Sequence, residues 1–221
     1  MSEITADTFC PRCAKPQGLC VCGALVSHRS PFFVLVLRHP QEKDRVLGTA
    51  GMVALQLTRC RVVTGLSWRN LSAALGEPAQ PREWGVLYQG PKTDRPPRGA
   101  PPLVAVDRKG QPLADQQAGL AGLKGIVALD GTWSQAKTLW WRNPWLLKCR
   151  RLVLAPDRPS AYGRLRREPR RDSLSTLESV ALALAVLEGD AGLFDRLTAP
   201  LRKLAAAAAG QPDSVALSRS S

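Results

Sequence analysis

With 221 residues and 44% hydrophobic side chains, the chain is long enough for one α/β core and short for two, and its composition excludes a wholly disordered protein. Its longest apolar runs, 32–37 and 180–187, fall far short of the roughly 20 residues that cross a bilayer, and Glu3 and Asp7 sit where a signal peptide would be basic and then apolar, so a soluble, cytoplasmic protein without a membrane partner is expected. The balance of 31 basic against 18 acidic residues, net +13, predicts a polyanionic partner, with nucleic acid the leading class.

Four of the six cysteines fall close together near the N-terminus, as Cys10, Cys13, Cys20 and Cys22. A CxxC turn aims two thiolates at one point and a nearby pair completes a tetrahedron. In a reducing cytoplasm the expected result is a structural zinc site with no open coordination position. The expected organisation is a zinc-binding segment over residues 1–30, a main domain over 31–210 and a flexible tail over 211–221. His28 and His39 are alternative ligands.

The run Pro31–Leu37 has strand length and is apolar on both sides, and similar runs recur at 61–64, 85–88, 103–106, 126–129 and 152–154. Helices are expected between them at 48–57, 67–75, 116–123, 134–141 and 176–187, with 205–209 as the end of a helix. This alternation predicts an α/β fold with a mostly parallel sheet and helices on both faces. The stretch 91–102, with five prolines, reads as a loop.

Residues 125–136 read as a buried strand, a two-residue turn and a helix start, with Thr132 and Gln135 at the spacing of a capping box. Asp130 and Gly131 then fall at the carboxyl edge of the sheet, where helix N-termini and free backbone amides receive ligands. Asp130 is either a second cap or a site residue. A second box, Ser175 with Glu178, opens a helix that Gly189 should stop. Trp133, Trp140, Trp141 and Trp145 crowd the first helix and its exit; their spacing suits core packing, with base stacking as the alternative. From Arg142 to Arg171 ten basic residues meet only Asp157 and Glu168. The part of that stretch holding Arg164, Arg166, Arg167, Arg170 and Arg171 is a phosphate clamp or a solvated charge run.

Asp130-Gly-Thr-Trp133 with Gln135-Ala136, Asn143-Pro-Trp-Leu146, Tyr162 with its following arginines, and Leu174-Ser-Thr-Leu-Glu178 together resemble the DTW-domain family, as do the cysteine knuckle and His39-Pro-Gln-Glu42. The resemblance implies a tRNA-uridine aminocarboxypropyltransferase, which moves the 3-amino-3-carboxypropyl group of S-adenosylmethionine to N3 of a uridine and releases methylthioadenosine. It also implies a SPOUT-like fold with a C-terminal trefoil knot. Uridine N3 carries a proton at neutral pH, so the reaction needs an acceptor beside it, and Asp130 is the candidate base. The cofactor site implied comprises Leu87, Tyr88, Gln89, Gly90, Leu129, Gly131, Thr132, Ser175 and Thr176. RNA contacts are expected at Arg38, His39, Lys137, Arg142, Tyr162, Arg164, Arg166, Arg167, Arg170 and Arg171. The chain departs from the family at Gly48-Thr49, where Asn-Thr is usual, and at Gln89-Gly90, where Pro-Ser is usual. Gly119, Gly122 and Gly125 lack the G-x-G-x-x-G spacing, which disfavours a Rossmann methyltransferase. A SPOUT-type RNA methyltransferase and a non-catalytic zinc-knuckle RNA-binding protein are the competing readings, and either a monomer or a homodimer is compatible with the sequence.

Overall fold

Strand β1 (Phe33–Arg38) buries four consecutive residues, because side chains alternate across a strand and both faces are covered. Val34 and Val36 enter one apolar cluster while Leu35 and Leu37 enter another. The structure, a computed structural model, describes residues 9–43, 45–87, 99–157, 159–161 and 174–209. With β2 (Cys60–Thr64), β3 (Trp84–Leu87), β4 (Leu103–Val106), β5 (Gly125–Asp130) and β6 (Arg150–Leu154), β1 forms a six-stranded sheet in the order β2-β1-β5-β3-β6-β4. All neighbours pair in parallel except β4, which runs antiparallel to β6 at one edge.

The helices are α1 (Ala50–Gln56), α2 (Leu71–Leu75), α3 (Gln116–Leu120), α4 (Trp133–Arg142), α5 (Thr176–Glu188) and α6 (Leu193–Ala209). Met52 and Val53 of α1, Val180 and Leu184 of α5, and Leu197 and Leu201 of α6 cover one face of the sheet. Leu71 and Leu75 of α2 and Leu139 of α4 cover the other. The mixed α/β architecture with helices on both faces follows the alternation of apolar runs. Helix α6 is longer than the alanine run that marked its end. Its buried stripe, Leu193, Leu197, Leu201 and Leu204, has the three- and four-residue spacing of one helical face. Helix α5 stops where expected, at Gly189, whose φ of 67° is the left-handed conformation that glycine adopts without a Cβ clash.

The cysteine segment is joined to this core. Two short 3-10 turns, Gln17–Leu19 and Cys22–Ala24, place Leu19 and Val21 in the same apolar cluster as α1, α5 and α6. Lys15 is buried too, and its Nζ donates to the carbonyls of Val46 at 2.5 Å and Gly48 at 3.0 Å, which ties the segment to the connection between β1 and α1.

Connections out of the two central strands fix where a ligand can sit. The chain leaves β1 through α1 toward β2, and leaves β5 through α4 toward β6, in opposite directions along the sheet. Helices α1 and α4 lie on opposite faces, which makes the carboxyl ends of β1 and β5 the switch point where open α/β sheets receive ligands.

Candidate functional site

Strands β1 and β5 stay in parallel register to their ends, where Arg38 lies opposite Asp130. The chain segments that leave the two strands are tied to each other: His39 N–H donates to the Asp130 carbonyl at 2.9 Å, and Gln135 Nε2 donates to Gln41 Oε1 at 3.0 Å. The Asp130 side chain is only 6% exposed. Its Oδ1 accepts a short bond of 2.5 Å from the Thr176 hydroxyl, which draws the first turn of α5 onto the end of β5. Thr49, also buried, accepts from Leu177 N–H at 3.3 Å and brings the start of α1 to the same place.

Both expected capping boxes form. Thr132 N–H donates to Gln135 Oε1 at 2.6 Å while Gln135 N–H donates to the Thr132 hydroxyl at 3.4 Å. Gly131 is required by this turn, since a Cβ there would lie 2.8 Å from Gln135 Cβ. In the second box Ser175 N–H donates to Glu178 Oε2 at 2.8 Å and Glu178 N–H donates to Ser175 Oγ at 3.1 Å. Glu178 is 2% exposed and accepts two further bonds, from Ser160 Oγ and Ala161 N–H, each at 2.7 Å. It therefore joins the chain leaving β6 to the start of α5, a tertiary role beyond the helix start expected of it.

Of the residues assigned to a cofactor from sequence, Gly131, Thr132, Ser175 and Thr176 meet around Asp130, and Leu129 precedes it half-buried against the α2 and α4 face. The hydroxyls of Thr132 and Ser175 are engaged as caps and that of Thr176 on Asp130. Leu87 ends β3 and is buried in the α1, α5 and α6 cluster. Tyr88, Gln89, Gly90, Tyr162, Arg164, Arg166, Arg167, Arg170 and Arg171 lie outside the described residues. Arg38 donates from Nε to Thr64 Oγ1 at 3.0 Å, and Lys137 and Arg142 are exposed on α4. Thr49 belongs to the Gly48-Thr49 loop expected to contact ligand and Gln41 to the His39-Pro-Gln-Glu42 motif, although neither was assigned a role of its own.

The Asn143 motif belongs to the scaffold. Asn143 is fully buried; its Oδ1 accepts from Trp68 N–H and Trp145 Nε1, and its Nδ2 donates to the carbonyls of Leu66 and Leu139. The tryptophans divide. Trp145 is buried, and Trp140 is half-buried with the Arg151 guanidinium 5.4 Å over its ring. Trp141 is 70% exposed, so core packing does not hold for it: Ala136, Leu139 and Asn143 take the inward face of α4 and its exit.

The four clustered cysteines form a site that could hold a metal ion. Their sulfurs lie within 4.8 Å of one another, with Cys10 and Cys22 at 3.5 Å and Cys13 and Cys20 at 3.8 Å. A tetrahedral ion with metal–sulfur bonds of about 2.3 Å needs sulfurs about 3.8 Å apart. The N–H groups of Cys13 and Arg12 hold the Cys10 thiol down at about 6, whereas burial and the neighbouring thiols push Cys22 up to about 12. The alternative histidine ligands are used elsewhere. His28 Nε2 lies 3.0 Å from Glu188 Oε2, and His39 Nδ1 accepts from Gln41 N–H at 3.4 Å.

The DTW domain family model matches residues 7–208. The chain is 32% identical over 209 residues to tRNA-uridine aminocarboxypropyltransferase 2 of Drosophila melanogaster, a match that covers 88% of this chain and 72% of that protein. Proteins of the same name from Macaca fascicularis and Mus musculus are 28% identical over 200 residues, again 88% of this chain but 61% of each relative, so the chain spans less than two thirds of their length. No solved structure matches the chain significantly.

Proposed function

Because the chain belongs to the DTW domain family, we propose that it transfers the 3-amino-3-carboxypropyl group of S-adenosylmethionine to N3 of a uridine in tRNA. The observation that carries this reading is Asp130: a buried carboxylate at the carboxyl edge of the central strand, inside the matched motif, held by Thr176. S-adenosylmethionine supplies an electrophilic γ-methylene on its sulfonium, and displacement there leaves methylthioadenosine. Asp130 takes the N3 proton as the N–C bond forms and returns it to solvent afterwards. Thr176 fixes the direction of the carboxylate, and the walls of the site choose which carbon meets N3, since position alone separates methyl transfer from transfer of the longer chain.

The proposed cofactor walls are the ends of β3 and β5 with the first turn of α5. The proposed tRNA contacts are Arg38, His39, Lys137, Arg142 and the arginines of 164–171, supported by a net charge of +13. A SPOUT-like C-terminal knot is part of the reading, supported by the doubly wound sheet and the return of α5 to Asp130. The four-thiolate set supports a structural zinc ion that holds the N-terminal segment without joining the chemistry. Metal analysis should return one zinc per chain; a value near zero with freely titratable thiols overturns that assignment. A reducing, cytoplasmic setting is part of the reading, supported by four thiols gathered as a candidate metal ligand set.

The deciding experiment is incubation with tRNA and S-adenosylmethionine labelled either in the methyl group or in the carboxyl group. Carboxyl label alone should enter RNA. Methyl label in RNA makes the protein a methyltransferase, and no label in RNA leaves only binding.

A further inference from the structure

Helix α4 begins at the catalytic edge and carries one exposed face away from it. Ala136 and Leu139 are buried, which leaves Ser134, Lys137 and Trp141 exposed, with Thr138 half-buried between them. Trp141 stands out on this face, since a large apolar ring 70% open to water gains nothing for the fold. Lys137 is its neighbour one helical turn back, and Arg142 follows it in the chain. From Gly131 to Pro156 the sequence has Lys137, Arg142, Lys148, Arg150 and Arg151 and no acidic residue. Arg150 and Arg151 donate to backbone carbonyls, whereas Lys137, Arg142 and Lys148 are exposed.

We propose that Trp141 is a stacking platform for an unpaired base of the RNA substrate, with Lys137 and Arg142 on the flanking phosphates. The inference rests on RNA being the substrate and adds a named subsite to it. A single ring among cations suits a nucleotide, which offers an aromatic face with a negative charge on each side. It suits a second copy of this chain poorly, because a two-fold contact through this face would set like cations against one another, and a stable interface needs far more than one ring. Trp141 lies eight residues along α4 from Trp133, about 12 Å, or about three to four stacked nucleotides from the residue that follows the Asp130 turn. The base on Trp141 is thus a near neighbour of the target uridine and helps to choose which uridine enters the site.

The test measures tRNA affinity as a function of salt, single-turnover transfer and sedimentation for the full chain and its Trp141→Ala, Trp141→Phe and Lys137→Ala variants. Trp141→Ala should weaken binding about 5- to 100-fold with an unchanged salt slope, and Trp141→Phe should recover most of the loss. Lys137→Ala should instead lower the salt slope by about 0.7–0.9. Wild-type affinity for Trp141→Ala, with transfer intact, overturns the stacking role and leaves the reaction standing. Loss of binding on Trp141→Ala in a protein that transfers nothing keeps the platform and removes the reaction. A chain that dimerises through this face, and becomes monomeric in Trp141→Ala, overturns the proposal in favour of self-association.

Discussion

The two capping boxes flanking Asp130 are alike in sequence and unlike in what they do. Thr132 with Gln135 lies at a half-exposed turn, and among the described residues its reach beyond α4 is a single bond from Gln135 to Gln41. Ser175 with Glu178 is buried, and one carboxylate there accepts from its own cap and from Ser160 and Ala161 on the far side of the 162–173 segment. The first box caps a helix and borders the switch point, whereas the second is a joint between two parts of the chain. A local motif thus states where a helix begins and leaves open how much of the fold depends on it.

The sharpest way to break this comparison is at the residue between the boxes. Asp130→Asn keeps shape and cannot accept the proton, so single-turnover transfer to tRNA should fall about 10²–10⁴-fold with cofactor affinity and melting temperature close to normal. Near-normal transfer would reduce Asp130 to a cap, a role that Asn fills well. Glu178→Ala leaves one buried and two part-buried donors without their acceptor and should cost about 3 kcal/mol in chemical denaturation, with Glu178→Gln losing less. A change under about 0.5 kcal/mol would reduce this box to an ordinary helix start. Thr176→Val removes the hydroxyl on Asp130, and both effects should show together: about 2 kcal/mol of stability and about a tenfold loss in transfer without a change in tRNA affinity. The smallest effect is expected for Gln135→Ala, about 1 kcal/mol in denaturation. If Gln135→Ala instead matches Glu178→Ala, the contrast between the boxes fails.

Legibility in the sequence followed burial. Val34 to Leu37 and Ile126 to Ala128 were readable as central strands because a strand covered on both faces must be apolar at every position. Thr132, Ser175 and Gly189 were readable because a cap is satisfied within four residues of chain. Lys15 was not, since its buried ammonium is satisfied by carbonyls some thirty residues away, and no local pattern announces such a bond. Nor was the fate of each tryptophan, because a ten-residue helix with four aromatic residues in or near it has more apolar surface than one face can bury.

By itself, then, the sequence determined the kinds of element and their order, the two helix starts, the thiol cluster and the motif that holds Asp130, all of which depend on residues close together in the chain. Only the tertiary structure decided that β5 lies between β1 and β3, that α1 and α4 take opposite faces, and that Thr176, 46 positions from Asp130, supplies its hydrogen bond. Those outcomes depend on which apolar faces pair across long loops, and that choice is made by the packing of the whole core.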